Sequence, residues 1–197
     1  MKMRNCCLDI HTKEFNLHKD NPVIPGDVKR KKVNGKFVKE VFYVIDFADI
    51  RDNAYVISSF GRVFSLLRKM ELKKMHSYTG YNAIQLQCND GVSRKFVIPR
   101  LVARAFIEKT EDDKEYGRIV VHHKNWKCLD DYYWNLEWRS PLEVYIMAKI
   151  NGGEFDYDEA IVQAKKLFSK GIPLKQIHEV FDGYFSRQKL VSIRDRI

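Results

Sequence analysis

The sequence predicts an α+β protein in which β structure precedes helices. Between about residues 41 and 98, short segments rich in β-branched and aromatic residues are separated by turns that contain glycine or asparagine. Beyond residue 154, apolar positions recur at helical spacing instead. Asn151-Gly152-Gly153 lies between the two patterns and predicts a linker. We therefore expect a polar and basic arm over 1–40, a β-rich module over 41–106, a mixed core over 107–150 and a helical module over 154–197.

The charge balance points to a polyanionic partner. The 197 residues include 35 Lys and Arg against 26 Asp and Glu, which gives a formal net charge of +9. The composition, with 45% hydrophobic and 31% charged residues, is that of a globular protein and excludes a disordered one. A positive excess of this size favours association with a polyanion but does not specify a fold.

The sequence also predicts the compartment. Residues 1–7 lack the apolar segment of a signal peptide, and no stretch approaches the roughly 18 apolar residues that span a membrane. The four cysteines include no C-x-x-C pair, so neither a zinc cage nor a disulfide framework is expected. We therefore expect a cytoplasmic protein that does not insert into membranes.

The N-terminal half contains the predicted arm and strands. The arm has the basic run Lys29-Arg30-Lys31-Lys32, and we interpret it as a solvated or flexible segment, with phosphate contact as the alternative. Pro99 begins a short helix over 100–106 that is apolar on one face. The candidate strands between arm and helix share β-branched or aromatic residues and adjacent turn residues, and they are 41–45, 55–59, 61–65, 81–87 and 94–98.

The most informative segment follows a charged connection over 107–118. Val120-Val121-His122-His123 ends a β-branched run in two adjacent histidines, and Asn135 follows the second histidine by twelve positions. Such an arrangement can place a general base beside a metal ligand, with an amide that holds the loop between them. Metal-assisted attack on a nucleic-acid phosphodiester is therefore the first hypothesis. A helix over about 141–149 follows.

The last forty residues predict three helices. Asp158 is a candidate cap for the first helix, and Gly171 is a candidate C-terminal glycine. A second helix over 174–181 is followed, after a turn, by a third helix that carries Arg187, Lys189 and Arg194 on its outer face. A helix, a turn and a basic helix are typical of a helix-turn-helix. A helical satellite whose charges are only solvated is the alternative.

Three motifs in order carry a family resemblance. Residues 55–65 look like the short DNA-binding motif that usually precedes a nuclease core, and residues 80–81 and 100–106 are similar to its continuation. Residues 121–125 and 135–138 look like the core itself, and the predicted helix-turn-helix completes the series. From about residue 41 to its end, the chain resembles the HNH homing endonucleases of phage introns and their free-standing relatives.

The resemblance implies a fold and a set of roles. The fold would be a β-rich DNA-binding module, a ββα-metal HNH core and a C-terminal helix-turn-helix. His123 matches the general base, a task that suits a neutral imidazole. His122 matches the first metal ligand, and Asn135 matches the asparagine that holds the loop and orients the histidine. One Mg²⁺ or Mn²⁺ ion would stabilise charge on the phosphate. The implied protein is phage-encoded, acts in the bacterial cytoplasm, and as a monomer nicks one strand of double-stranded DNA.

The chain departs from the family pattern at two positions that bear on the metal. Val144 stands where the family usually has its second metal ligand. Glu143 is adjacent, but one residue along a helix is a rotation of about 100°. Asp131 stands where asparagine is common. The alternative is therefore a catalytically impaired DNA-binding regulator or blocking factor that has lost the ion, and a weaker third hypothesis is RNA or protein binding by the basic surface.

Basic residues in each of the three modules are candidate DNA contacts. The phosphate backbone attracts lysine and arginine regardless of sequence, so these residues would position the protein on the duplex. The candidates are Arg62, Arg68, Lys69, Lys124, Arg139, Arg187, Lys189 and Arg194.

Overall fold

The computed structural model describes residues 28–33, 35–47 and 49–197. Most of the predicted arm, residues 1–27, lies outside this range. The described chain folds as two compact units, of which the first contains the residues up to Glu108 and His123–Glu137. The second contains Lys109–His122 and Trp138–Ile197. The α+β class is confirmed, and the boundaries of the predicted modules stay predictions.

Antiparallel strands dominate the first unit. A hairpin, a four-stranded sheet in sequential order and a three-stranded sheet follow one another along the chain. The strands are β1 (Arg30–Val33), β2 (Lys36–Lys39), β3 (Phe42–Val44), β4 (Tyr55–Ser58), β5 (Val63–Ser65), β6 (Met70–Glu71), β7 (Met75–His76), β8 (Asn82–Gln87) and β9 (Ser93–Val97). Each of the five candidate strands listed above is present. The first four are shortened at one or both ends, and β9 is displaced by one residue towards the N-terminus. The basic run belongs to β1, so this part of the predicted arm pairs in a hairpin.

The register of β4 and β5 brings the turn between them close to the strands. Val56 lies opposite Phe64 and Ile57 opposite Val63, so the turn is only four residues long. Gly61 in this turn has a φ of +76°, a conformation that favours glycine. The helix α1 (Ile98–Phe106) begins directly after β9, and its buried face includes Leu101 and Val102. It begins before Pro99 because proline is tolerated in the first helical turn, where its missing N–H has no partner to lose.

A separate two-stranded sheet carries the histidine pair. β10 (Val120–His123) and β11 (Leu136–Arg139) form this sheet, and a 3₁₀ turn over Tyr133–Asn135 precedes β11. Residues 124–135, between the two strands, are called the site loop below. The site loop reverses the direction of the chain, so β10 and β11 pair with each other.

The second unit is helical. Its helices are α2 (Glu111–Glu115), α3 (Pro141–Gly152), α4 (Tyr157–Ser169), α5 (Leu174–Val180) and α6 (Arg187–Arg194). Ile146, Leu167, Ile177, Phe181 and Leu190 are among the residues that form its core. The predicted spacing of apolar residues therefore placed three C-terminal helices correctly, although α5 ends one residue earlier than predicted.

Two sequence predictions in this unit, the linker and the cap of the first C-terminal helix, are wrong, and a third is incomplete. The charged connection contains α2, whose Thr110 and Asp113 form a reciprocal capping box. The predicted linker continues α3 through Gly152, and Gly153 ends the helix with a φ of +69°. A helical glycine costs only about 1 kcal/mol, which the cap at Ser140 and the buried Ile146 offset. The cap of α4 is Asp156 and not the predicted Asp158, since the Asp156 side chain accepts hydrogen bonds from backbone N–H groups in the first turn.

No helix within the described ranges is both long enough and apolar enough to cross a membrane.

Candidate active site

His123 is the last residue of β10 and is held on two sides. Its Nε2 lies 3.5 Å from Oδ1 of Asp131 in the site loop. The ring of Tyr81, which directly precedes β8, stacks on the imidazole with 5.6 Å between centroids and 18° between planes. His123 is 3% exposed. The stacked ring and the carboxylate together fix both the position and the plane of the imidazole.

The carboxylate of Asp131 is buried and is itself held by polar partners. Asn82 on β8 donates its Nδ2 to Oδ2 of Asp131 at 2.7 Å. The same Nδ2 donates to the carbonyl oxygen of Leu129 at 3.2 Å. Lys74 places its Nζ 3.6 Å from Oδ2 and supplies the opposite charge. A buried carboxylate requires such partners, because burial without them is costly.

The turn between β4 and β5 packs directly against the site loop. A Cβ at Gly61 would lie 2.7 Å from Cβ of Asp131, closer than real side chains approach. Ser59 in the same turn accepts the N–H of Tyr133 at 3.0 Å through its carbonyl oxygen. Residues 55–65 therefore support the site loop, in addition to any contact with DNA that their motif predicts.

Asn135 closes the site loop on itself. Its Oδ1 accepts the backbone N–H of Asn125 at 3.1 Å. Its Nδ2 donates to Oδ1 of Asn125 at 2.9 Å and to the carbonyl oxygen of Asp130 at 2.8 Å. Lys124 N–H also donates to the Asn135 carbonyl oxygen at 2.8 Å. Asn135 is therefore placed to hold the loop, and both hydrogens of its amide nitrogen are engaged there.

Glu143 in the second unit is part of a buried ionic network. It is 0% exposed, and Arg118 donates to its carboxylate at 2.8 and 3.2 Å. The backbone N–H of Ser140 donates to it at 2.7 Å, and Arg139 lies 3.5 Å away. Burial alone would raise the pKa of Glu143, but the bonds from Arg118 and Ser140 hold it below its usual value. Glu143 is therefore committed to Arg118 and to the cap of α3.

The chain is similar in sequence to proteins named as HNH endonucleases. No family model matches it. A solved structure described as "DNA binding and cleavage by the HNH homing endonuclease I-HmuI" is 26% identical, with a TM-score of 0.44 over 60% of this chain and 65% of that one. The uncharacterized HNH endonuclease L247 of Acanthamoeba polyphaga mimivirus is 32% identical over 85 residues, which cover 43% of this chain and 20% of the relative. The predicted resemblance to HNH endonucleases is confirmed. The chain spans about a fifth of the length of this relative.

HNH nucleases generally use a divalent metal ion, so we tested the described residues as ligands. In the described ranges, no group of three or more His, Cys, Asp or Glu side chains is arranged to hold a metal. Both hydrogens of the Asn135 amide nitrogen are engaged in the site loop, and Glu143 is bound to Arg118. Val144 offers no donor atom. The donor set therefore does not fit the site of a tightly bound hard cation, which prefers several oxygen ligands.

The cations predicted to contact DNA differ in their availability. Arg62 is buried and binds Glu40 at 2.8 Å and Glu71 at 2.9 Å, and these bonds raise its pKa although burial opposes the charge. Arg139 is mostly buried beside Glu143. The remaining candidates extend at least part of their side chains into solvent, and they are Arg68, Lys69, Lys124, Arg187, Lys189 and Arg194.

Three residues that support His123 were not among the predicted site residues. Tyr81, Asn82 and Lys74 lie more than forty positions before the histidine, and only the packing of the first unit brings them to the site. Asn82 gave one usable indication, since a polar residue at a buried position of an alternating strand requires a partner. Lys74 gave none, because a lysine in a short connection between strands is ordinary.

Proposed function

We propose that the protein is an HNH endonuclease of the homing type that hydrolyses a DNA phosphodiester and nicks one strand. The observation that carries this proposal is the held imidazole, with His123 fixed by Asp131 and Tyr81 beside a loop closed by Asn135. The order β10, β11 and α3 along the chain agrees with the predicted ββα core. The mimivirus relative, whose name includes HNH endonuclease, supports the same chemistry.

His123 would act as the general base. A neutral imidazole removes a proton from the attacking water at cellular pH, and such catalysis contributes about 10²–10⁴-fold to a rate. Asn135 would act indirectly, because its hydrogen bonds are to the site loop. Its contribution would be to keep the loop that follows the histidine in one conformation.

The exposed cations would hold double-stranded DNA. Arg68 and Lys69 follow β5, and Lys124 begins the site loop. Arg187 begins α6, which we propose as the recognition helix of a helix-turn-helix that enters the major groove. We do not include Arg62 in this set, because its guanidinium is already engaged by two carboxylates.

A second candidate function is supported by the ligand positions. Val144 replaces a ligand, and Glu143 next to it is bound to Arg118, so neither is available to coordinate a cation. A DNA-binding regulator or blocking factor that has lost catalysis would show this arrangement. The predicted Mg²⁺ or Mn²⁺ ion, with His122 as its ligand, therefore stays a prediction on which the two candidates differ.

Plasmid nicking distinguishes the two candidates. We would incubate supercoiled plasmids carrying a library of genomic fragments with the wild type, with His123→Ala and with the matched control His76→Ala, whose histidine is exposed in the short strand β7. The nuclease proposal predicts open circles in Mn²⁺ or Mg²⁺, none in EDTA, and a rate about 10²–10⁴-fold lower for His123→Ala only. If the wild type and His123→Ala bind DNA equally well and neither nicks it, the result would support the regulator.

The DNA partner itself is tested by salt. Affinity for duplex DNA should fall by about 0.9 log units per log unit of salt for each neutralised phosphate. Affinity that does not change with salt would refute both candidates, and preferential competition by double-stranded RNA would favour the weaker third hypothesis.

A further inference from the structure

We propose that Asp131 is a positioning residue that fixes the tautomer of His123, with the hydrogen on Nε2 and with Nδ1 as the nitrogen that receives the proton of the attacking water. This inference rests on the proposed role of His123 as the general base. It names a residue that stands where the family commonly has asparagine, and it gives that departure a chemical function.

The contact between the two side chains determines which nitrogen donates. An ionised carboxylate only accepts hydrogen bonds, so a neutral imidazole that faces it must present N–H. The nitrogen that faces Oδ1 of Asp131 is Nε2, at 3.5 Å. This distance is at the long end for a hydrogen bond, as is common for catalytic contacts before substrate binds. Within the described residues, no hydrogen bond to Nδ1 is made by another side chain or backbone group.

The environment of the pair restricts alternative arrangements. Side-chain exposure is 3% for His123 and 1% for Asp131, so water competes little for the contact. The stacked ring of Tyr81 restrains rotation of the imidazole about its long axis. Gly61 packs against Cβ of Asp131, where an added Cβ would lie only 2.7 Å away. The pair is therefore held in one geometry by packing, independently of any bound ion.

Asn82 determines which oxygen of Asp131 meets the histidine. The orientation of an asparagine amide is normally assigned from its partners. Here the carbonyl oxygen of Leu129 accepts from Nδ2 of Asn82 at 3.2 Å, so this end of the amide must be the donor. The same Nδ2 donates to Oδ2 of Asp131 at 2.7 Å. Oδ1 is thereby left for the imidazole.

Because Asn82 donates to Asp131, the substitution Asp131→Asn is expected to change the tautomer of His123 in addition to removing a charge. The new amide would have to present its oxygen to Nδ2 of Asn82, because two NH₂ groups cannot hydrogen-bond each other. Its NH₂ group would then face Nε2 of His123. Nε2 would have to accept, and the hydrogen would move to Nδ1, the nitrogen proposed to act as the base.

The tautomer can be observed directly by NMR on the full chain without DNA. Long-range ¹H–¹⁵N spectra, recorded at a pH where imidazoles are neutral, identify which ring nitrogen lacks hydrogen. His123→Gln assigns the signal among the six histidines. We expect Nε2–H in the wild type, Nδ1–H in Asp131→Asn, and a mixture of tautomers in Asp131→Ala. The matched control Asp52→Asn alters an exposed aspartate whose carboxylate binds Asn89 outside the site loop, and it should leave Nε2–H unchanged.

Single-turnover nicking adds a second readout. We expect Asp131→Asn to lower the rate of the chemical step by about 10²-fold or more, with DNA affinity changed less than about 2-fold, since base catalysis is lost while phosphate contacts remain. Asp52→Asn should nick at the wild-type rate. A merely structural role for Asp131 would lower affinity and melting temperature together and would leave the tautomer unchanged.

The outcomes separate this proposal from the nuclease proposal. Nδ1–H in the wild type overturns the positioning role without the use of any variant, so a variant that fails to fold does not remove the test. An unchanged tautomer in a folded Asp131→Asn variant also overturns it. A wild type that shows Nε2–H, switches in Asp131→Asn and nicks no DNA supports the positioning of His123 and refutes only the nuclease.

Discussion

Replacing Glu143 with glutamine removes the charge that Arg118 binds at the start of α3. Glu143 is fully buried, and the guanidinium donates to both of its oxygens. Its side chain also completes the capping box with Ser140. Glutamine preserves the size of the side chain and one acceptor oxygen. The substitution therefore tests the charge of the network rather than its packing.

The structure gives the expected magnitude. Breaking a buried ion pair by removing one partner costs about 3–5 kcal/mol, because the remaining charge is left without compensation. Arg118 keeps Asp113 at 3.0 Å and Gln176 at 2.8 Å, so it is not fully stranded. We therefore expect a value at the lower end, about 3 kcal/mol of unfolding free energy. For a unit of this size, this corresponds to a melting temperature lower by roughly 10–20 °C.

Circular dichroism at 222 nm during thermal and urea unfolding measures the change. The matched control is Glu154→Gln, whose carboxylate is 76% exposed and lies 3.8 Å from Lys149. This control should stay within about 0.5 kcal/mol of the wild type, as substitutions at exposed ion pairs do. A Glu143→Gln protein within 1 kcal/mol of the wild type would refute the structural role. If that variant also lost metal-dependent nicking, Glu143 would be reassigned as a ligand.

The same network predicts an acid dependence. Hydrogen bonds lower the pKa of Glu143 and of Asp113 below their ordinary values, although burial opposes this shift. A carboxyl group with a depressed folded-state pKa stabilises the fold fully above its unfolded pKa, about 4, and this contribution is lost as the pH falls through the folded-state pKa. The stability difference between wild type and Glu143→Gln should therefore be constant near neutrality and shrink below about pH 4. A difference that is independent of pH down to 2 would contradict the assignment.

Three further perturbations test the site and the DNA surface. Gly61→Ala places a methyl group against Asp131 at a positive φ, so we expect a loss of at least about 1–2 kcal/mol in urea unfolding, and wild-type stability would contradict the close packing. Asn135→Ala leaves two backbone groups of the site loop without their partner, which should cost roughly 2–4 kcal/mol and speed amide hydrogen exchange in this loop, and unchanged exchange would exclude its clamping role. Arg68→Ala combined with Lys69→Ala should reduce the salt slope of duplex binding by up to about 2, and an unchanged slope would remove both residues from the phosphate contacts.

Local chemistry made much of the fold predictable. The strands β4 and β5 were visible because β-branched residues flank a glycine turn, and α1 because proline precedes an apolar face. The linker prediction failed at Asn151-Gly152-Gly153, because α3 continues through Gly152. The cap at Ser140 and the buried Ile146 stabilise this helix, and composition alone does not show either contact. A helix ends where tertiary and capping contacts stop stabilising it, and two glycines give only a weak indication of that point.

The sequence indicated two of the central site residues and left their environment open. His123 and Asn135 were singled out because they match the HNH pattern, which implies the roles of general base and loop-holding amide. The sequence did not show whether the other charged side chains are free to bind DNA or metal, since a residue type does not reveal whether the side chain is exposed or buried. Arg62 was predicted to contact phosphate and instead binds two carboxylates. Glu143 was considered as a replacement ligand and instead binds Arg118.

By itself, the sequence determined the α+β class, the resemblance to HNH endonucleases, the positive charge, and the presence of a histidine pair before an asparagine. These properties depend on residue type and on separations of a few positions, which periodicity and motif spacing record. Only the tertiary structure decided that Asp131 faces Nε2 of His123 and that Asn82, from β8, orients Asp131. Asp131 lies only 8 positions from His123 but faces it because the site loop folds back on β10, and Asn82 lies 49 positions before Asp131 and meets it only through the packing of β8 against this loop.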